Sequence, residues 1–598
     1  MEDKRTAIAI FLCIMVVMIY SELVITPYYQ RAAEQHGATP TPETNREIPP
    51  PPKDASLSNV EHATVTNPAP VPAETTKVVA QTTPTLAQIA AAPFTKISTP
   101  NMELSLSHLG ARVKSLSLVR YREALAAEKP LETVLSSDGL PLPLGVYVDK
   151  LDDANVTYTL LKTSGDTVNL ENSYLVGPGK DLELTFEGNL GGTIIRKIFK
   201  FRADSYLFEV NIELGSAISP DARIWLEWTR FGSFEQESER LNPLSYTLLD
   251  TNNKIAHTLV PALKEELTEL QSNVKEAGSN QWISLGDKYF SASLVASTAG
   301  LNSRIGRLPV DAKDSAPAGD LFFSRIAGQS TKGAFSVYVG PKDDTILSAT
   351  GFQLHRTIDL GFFSVLAYPL LSLIRLFHAL LGNYGLAIIL LTLAIKTAFL
   401  PLTATSMRSM KAMQELQPEI KALRDRIKDP TQLNQEMAGL FKKRGVNPMG
   451  GCLPMLIQIP IFFGLYSALF NSIELRHAPF ALWIKDLSSP EHLTIFGIGI
   501  PIMVLLMGLS MFIQQRGQPQ AGLDPAQQKV MKFMPIIFTG MFIVVPMPAG
   551  LVLYWLVNNT ISIIQQTYLR NDKKASPLTA TLLASAAIFS LGFVLTLI

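Results

Sequence analysis

Few residues in this 598-residue chain have the type and setting to do chemistry, and Lys396 stands first among them. It is a lone cation in an apolar run from Tyr384 to Leu400. A bare ammonium in hydrocarbon costs at least a few kcal/mol, so an ionisable residue within a span marks a functional site by default. Thr392 lies one helical turn earlier, on the same face. The competing reading is snorkelling. A span ending near Leu402 would leave Lys396 about 9 Å from that end at about 1.5 Å per residue, within reach of a lysine stem. Other polar residues recur in later apolar runs: Gln458, then Asn558, Asn559, Gln565 and Gln566, with Tyr554 and Trp555 beside them. Such groups commonly join helices by hydrogen bonds. Pro454, Pro460, Pro535, Pro546 and Pro548 break or kink the runs that hold them.

Catalytic signatures are missing. There is no Gly-x-Ser-x-Gly, no His-Glu-x-x-His and no Cys/His cluster at metal-ligand spacing. The stretch Gly177-Pro-Gly-Lys-Asp181 has neither the glycine spacing nor the following Ser or Thr of a phosphate loop. His477 and His492 read as loop histidines rather than ligands. No enzyme, cofactor or metal is expected.

The elements that must position these residues are membrane spans. The chain is 47% hydrophobic with 52 basic and 52 acidic residues, a neutrality that argues against direct nucleic-acid binding. Its two cysteines, Cys13 and Cys452, sit in apolar runs, so no disulfide framework is expected. Residues 1–30 read as an uncleaved signal anchor: Lys4 and Arg5 precede an apolar run from Ala7 to Leu23 that lacks a small-residue cleavage site. Residues 31–100 hold twelve prolines between Pro40 and Pro100 and read as a tether. Residues 101–358 alternate with period two, as in 181–187 and 208–214, which predicts an antiparallel β-sandwich interrupted by a helical patch over 262–270. Residues 359–382, carrying Arg375 and His378, suit a helix lying in the membrane interface.

The core is expected over 383–570, with spans at 384–402, 450–471, 493–514, 530–547 and 550–568. A helical hairpin over 403–447 separates the first two. Met407, Met410 and Met413 begin its apolar stripe, which reads as packing or as an adaptable surface for clients. The hairpin carries nine Lys and Arg against five acids, which places it in the cytoplasm. Lys4 and Arg5 then also lie inside, and the β-domain lies outside. The uncharged stretch 577–598 is long enough for an extra span.

Several segments resemble one family. Asn447-Pro-Met-Gly-Gly-Cys-Leu-Pro454, the run from Gln458 to Phe462, the loop from Glu474 to Leu487, and Pro548-Ala-Gly-Leu-Val-Leu-Tyr-Trp555 are similar to the YidC-type membrane protein insertases. The resemblance covers about 360–570, and the anchor, tether and outer β-domain match the Gram-negative form in layout. It implies an α-helical polytopic protein of the bacterial inner membrane, with a periplasmic all-β domain, that inserts and chaperones membrane proteins alone or beside the Sec translocon. The implied partners are nascent membrane-protein clients, the Sec translocon, the ribosome and the lipid bilayer. A hydrophilic groove would be lined by Lys396, Thr392, Gln458, Tyr554, Trp555 and Asn558, with Phe462 on the slide offered to the client. Two departures stand out. Many bacterial members carry Arg where this chain has Lys396, and the usual basic tail is replaced by 577–598.

Three rival classes are weaker, the first of them lipid-modifying enzymes, for which no catalytic set is visible. A transporter would predict inverted repeats with paired broken helices, and none is evident. A carbohydrate-binding module would need aromatic clefts, whereas the aromatics of 101–355 mostly fall at alternating core positions.

Overall fold

Period-two hydrophobicity becomes sheet wherever it was legible. In the strand Leu207–Leu214 the inward residues Phe208, Val210 and Ile212 are buried while their neighbours face outward. The computed structural model describes residues 84, 86–122, 130–134, 141–165, 167–170, 172–216, 218–219, 222–232, 242–260, 274–297, 301–310, 319–446, 453–516, 525–545, 547–571 and 577–597. The anchor 1–30, the helical patch 262–270 and the motif residues 447–452 lie outside them.

Two sheets face one core. The smaller has six strands in the order Pro130–Val134, Arg112–Arg122, Met102–Ser107, Phe94–Ser98, Ser173–Val176 and Thr167–Leu170. The larger has fourteen, running from Leu151–Asp152 at one edge to Thr159–Gly165 at the other. The pairing is antiparallel except for Phe94–Ser98 against Ser173–Val176, which is parallel. This corrects the expected tether, because helix α1 (Leu86–Ala91) and the strand Phe94–Ser98 lie inside 31–100. Past Pro93 the apolar positions return, and Ile97 is buried in the core.

A buried charge cluster fastens the smaller sheet to the larger. The Lys197 ammonium meets the Asp153 carboxylate at 2.5 Å, with both side chains fully buried. It also donates to the carbonyls of Gly110 at 2.6 Å and Leu144 at 2.9 Å. Arg112 donates to Asp153 at 2.7 Å and also pairs with Asp152. The Tyr158 hydroxyl and the Val146 amide complete the shell of Asp153.

The β-domain grows directly into the helical region. Helix α2 (Asp344–Ser348) is capped by the Asp343 carboxylate, and α3 (Ser364–Leu381) follows. Ala367 and Leu371 of α3 belong to the β-domain core. Arg375 of α3 pairs with Asp344 of α2 at 3.2 Å and with Glu474 at 2.5 Å.

Helix α4 (Tyr384–Ala398) starts on the Asn383 side chain, which accepts from the Leu386 amide. The expected span 384–402 does not run straight. The chain bends by 63° after Ala398 and continues as α5 (Leu400–Glu415). Pro401 lacks the N–H that would reach back one turn, and it disfavours helical geometry in the residue before it. The hairpin likewise breaks into α6 (Gln417–Arg426) and α7 (Pro430–Arg444), joined by Arg444 and Glu419 at 2.5 Å.

The remaining helices are α8 (Leu453–Asn471), α9 (Ile502–Arg516), α10 (Pro525–Val544), α11 (Ala549–Asn571) and α12 (Pro577–Leu597). The expected span 493–514 is corrected at its start. Leu493–Ile495 and Ile498–Ile500 form a two-stranded hairpin, turned at Phe496 and Gly497 with φ of 51° and 80°. Two positive φ values at a two-residue loop suit the twist of a tight hairpin. Among the described residues, α3 and Leu578–Leu597 are each long and apolar enough to cross a membrane, and α4 with α5 adds a third if the bent pair is one span.

Gly385 lets α4 approach the loop that carries Phe480. A Cβ there would lie 2.0 Å from the Phe480 ring and 2.7 Å from its Cβ. The contact is close to the Phe480 backbone and has little room to yield. Gly385→Ala is expected to cost about 1–3 kcal/mol, as other overpacked core sites do. A thermal midpoint in detergent equal to that of the parent would refute the close-packing argument.

Candidate functional site

The polar residues of the core converge on one face of α11. Tyr554, Asn558 and Ser562 recur every four residues and Gln565 follows three later, so all four share a stripe. Three positions on the stripe, Tyr554, Ser562 and Gln565, each meet a different helix. Tyr554 is buried and its hydroxyl accepts from the Gln458 amide of α8. Ser562 accepts from the Lys396 ammonium of α4 at 2.8 Å and donates to the Asn558 carbonyl at 2.9 Å. Gln565 donates to Thr581 of α12 at 2.6 Å. Polar groups that cannot reach water are satisfied by one another, as a membrane interior requires.

Lys396 is half-buried, and among the described residues no carboxylate lies within 4 Å of it. Its hydrogen bond goes to a neutral hydroxyl, that of Ser562. A cation in an apolar bundle without a counter-charge keeps its attraction for any anion that enters. Interactions in such a setting are several-fold stronger than in bulk water.

Thr392 shares the Lys396 face but is fully buried, and its hydroxyl donates back to the Ile388 carbonyl at 2.7 Å. That satisfies the donor within its own helix. Asn558 contributes its backbone carbonyl beneath Ser562. Trp555 points to the other side of the stripe, where its ring meets Phe462 at 4.8 Å, Phe542 at 5.3 Å and Phe538 at 6.2 Å. Phe462 is half-buried on this aromatic cluster. Met407 and Met410 are half-buried and Met413 is buried with Leu416 and Ile420, so the stripe of the hairpin serves packing at its second end.

Ser562, Ser510 and Thr581 were not singled out from the sequence. Ser510 accepts from Asn559 at 3.1 Å and joins α9 to α11. Ser562 could have been found from its spacing of four after Asn558. For Thr581 no local signal exists, since it is one of several Ser and Thr residues in an uncharged helix and nothing in its neighbours sets it apart. No nucleophile and base pair occurs on the stripe. Among the described residues no group of three His, Cys, Asp or Glu could hold a metal.

A β-rich domain joined to apolar helices, with an uncompensated lysine on a polar stripe between them, defines a polytopic membrane protein with a large extramembrane domain. Family models agree with that architecture. One described as YidC periplasmic domain matches residues 95–373, and one described as 60Kd inner membrane protein matches residues 376–576. The chain is 33% identical over 596 residues to the membrane protein insertase YidC of Geobacter metallireducens, covering 96% of this chain and 99% of that one. It is 36% identical over 473 residues to that of Pelobacter propionicus, covering 77% and 83%. A solved structure of an active YidC insertase, with its first transmembrane domain resolved, covers 81% of this chain and 96% of that one at 18% identity and a TM-score of 0.35. The chain belongs to the YidC family of membrane protein insertases.

Proposed function

We propose that this chain inserts and folds inner-membrane proteins through a hydrophilic groove built on the polar stripe of α11, open to cytosol and lipid. The observation that carries the reading is Lys396, held by Ser562 and facing no carboxylate among the described residues. A client's acidic extracytoplasmic tail is drawn to that charge, and the polar stripe lowers the cost of its partial passage. Partitioning of the client's apolar segment into lipid supplies the drive, so no nucleotide site is needed. Helices α4 and α9 have 15 residues each, about 22 Å, against about 30 Å of hydrocarbon. The shortfall brings water close to the stripe.

The β-domain is periplasmic in this reading, and the chain's N-terminus is cytoplasmic. Helix α3 lies along the membrane surface. Arg375, two thirds of the way along it, is tied to Asp344 of the β-domain, so that part of the helix cannot lie deep in hydrocarbon while the domain is in water. Nascent membrane proteins are the clients, received from the ribosome directly or through the Sec translocon.

The test is complementation of an insertase-depleted strain, reading a Sec-independent single-span client by protease protection. Expression of this chain is expected to restore protection of the client. A chain that reaches the membrane at normal level yet leaves the client unprotected would defeat the reading.

A further inference from the structure

Helix α12 is the part of the core that the insertase reading leaves without a role. It carries no charged residue, and it turns back along α11. Its inner face is made of Ala580, Thr581 and Ala584, all buried, with Gly592 further on. A Cβ on Gly592 would lie 2.8 Å from Ile389 of α4. Its outer face shows Leu582, Leu583, Leu591 and Val594.

Helix association in lipid has no hydrophobic drive, so docking depends on close approach and on hydrogen bonds between helices. Both are present. The small residues allow the approach, and Gln565 with Thr581 supplies a hydrogen bond in which both side chains are buried. That bond lies one turn beyond Ser562, the partner of Lys396. One turn further along α12, the buried Ser585 hydroxyl has no partner. Two polar groups of α12, Thr581 and Ser585, therefore face the seam beside the charged site, while Thr579 and Ser590 are exposed. Ile389, in that seam, is 2% exposed, whereas Ile459 on α8, next to Gln458, is 42% exposed.

We propose that α12 is a resident wall of the client path. It closes the seam between α4 and α11, so that a client segment leaves only along the flank of α8 marked by Ile459 and Phe462. This rests on the insertase reading above. The seam would otherwise offer a second lateral exit beside Lys396, since an apolar client helix has the same chemistry as α12.

Photo-crosslinking residues at Ile389 and Ile459, with a stalled single-span nascent client in membrane vesicles, test the proposal. In the full chain the client is expected to crosslink strongly at Ile459 and only at a trace level at Ile389. Deleting 577–598 is expected to bring client adducts to Ile389. Gln565→Leu keeps α12 but removes its buried hydrogen bond, and is expected to raise the Ile389 adduct about threefold to tenfold over the full chain. Client adducts at Ile389 as strong as those at Ile459 in the unaltered full chain, while insertion proceeds, would overturn the proposal alone. So would an Ile389 that stays silent in both variants. A full chain with no insertion and no adduct at either position would overturn the insertase reading and this proposal with it.

Discussion

Lys197→Met is expected to destabilise the β-domain by about 3–5 kcal/mol, the range seen when one partner of a buried ion pair is removed. The side chain is fully buried and sits at the centre of the joint between the two sheets. Its loss leaves Asp152 and Asp153 facing Arg112 alone, and it strips a donor from the carbonyls of Gly110 and Leu144. A desolvated acceptor without a donor costs about 1–3 kcal/mol, so the carbonyls add to the charge imbalance. Pulse proteolysis of the full chain across a urea series reads the effect. An unchanged midpoint would show that Arg112 compensates both carboxylates by itself.

The same cluster sets an acid limit. Burial alone would raise the Asp153 carboxyl, but Lys197 and Arg112 outweigh it and hold the group below the ordinary value of 3.8. The unfolded chain therefore binds the proton first as pH falls, and stability is lost from about pH 4 downward, through the depressed value. Above that window the contribution is fully present. Asp153→Asn should flatten this acid limb as well as lower stability at neutral pH. A limb of the same slope in that variant would assign acid sensitivity to other carboxylates such as Asp287. There burial again pushes upward, and Arg230 with the amides of Phe290 and Tyr289 holds the group down.

Lys396→Glu is expected to reduce client insertion by at least about tenfold, with Lys396→Ala close behind and Lys396→Arg near the parent. At an effective dielectric near 20, a unit charge about 4 Å from the site gains roughly 4 kcal/mol, and sign reversal turns that gain into a penalty. Each 1.4 kcal/mol or so is tenfold, so the tenfold figure allows for heavy screening by water in the groove. Arginine keeps the charge and can still donate to Ser562, although its planar fork fits a single hydroxyl less closely than an ammonium does. The readout is protease protection of the client at matched expression. Normal insertion by all three variants would reduce Lys396 to a snorkelling residue. The polarity of the stripe would then rest on Gln458, Tyr554 and Gln565.

The β-domain was legible because strand periodicity is a local property. The inward positions of 181–187 and 208–214 follow from alternation alone. Even Lys197 carried a signal that went unread: it stands in phase with the inward residues Ile195, Phe199 and Phe201, where a lysine is out of place. What alternation could not reveal was its partner, because Asp153 lies on another element and comes near only when the sheets close. The strand Phe94–Ser98 was missed for a related reason. Proline density in the preceding stretch masked the return of apolar spacing.

In the helical region, the sequence by itself determined that apolar spans exist, that Lys396 is an isolated cation within one, and which family the motifs between Asn447 and Trp555 resemble. These depend on residue type and on neighbours within a few turns. Tertiary structure alone decided that Lys396 rests on Ser562, 166 residues away, that Thr392 spends its hydroxyl on its own helix, and that α12 docks through Thr581. It also decided the bend after Ala398 and the hairpin at 493–500, where the apolar runs looked continuous. The physical reason is that hydropathy records the cost of leaving water but not which polar group will share a hydrogen bond once there. That choice is made among distant segments competing for the same few partners, and it exists only when the helices are packed.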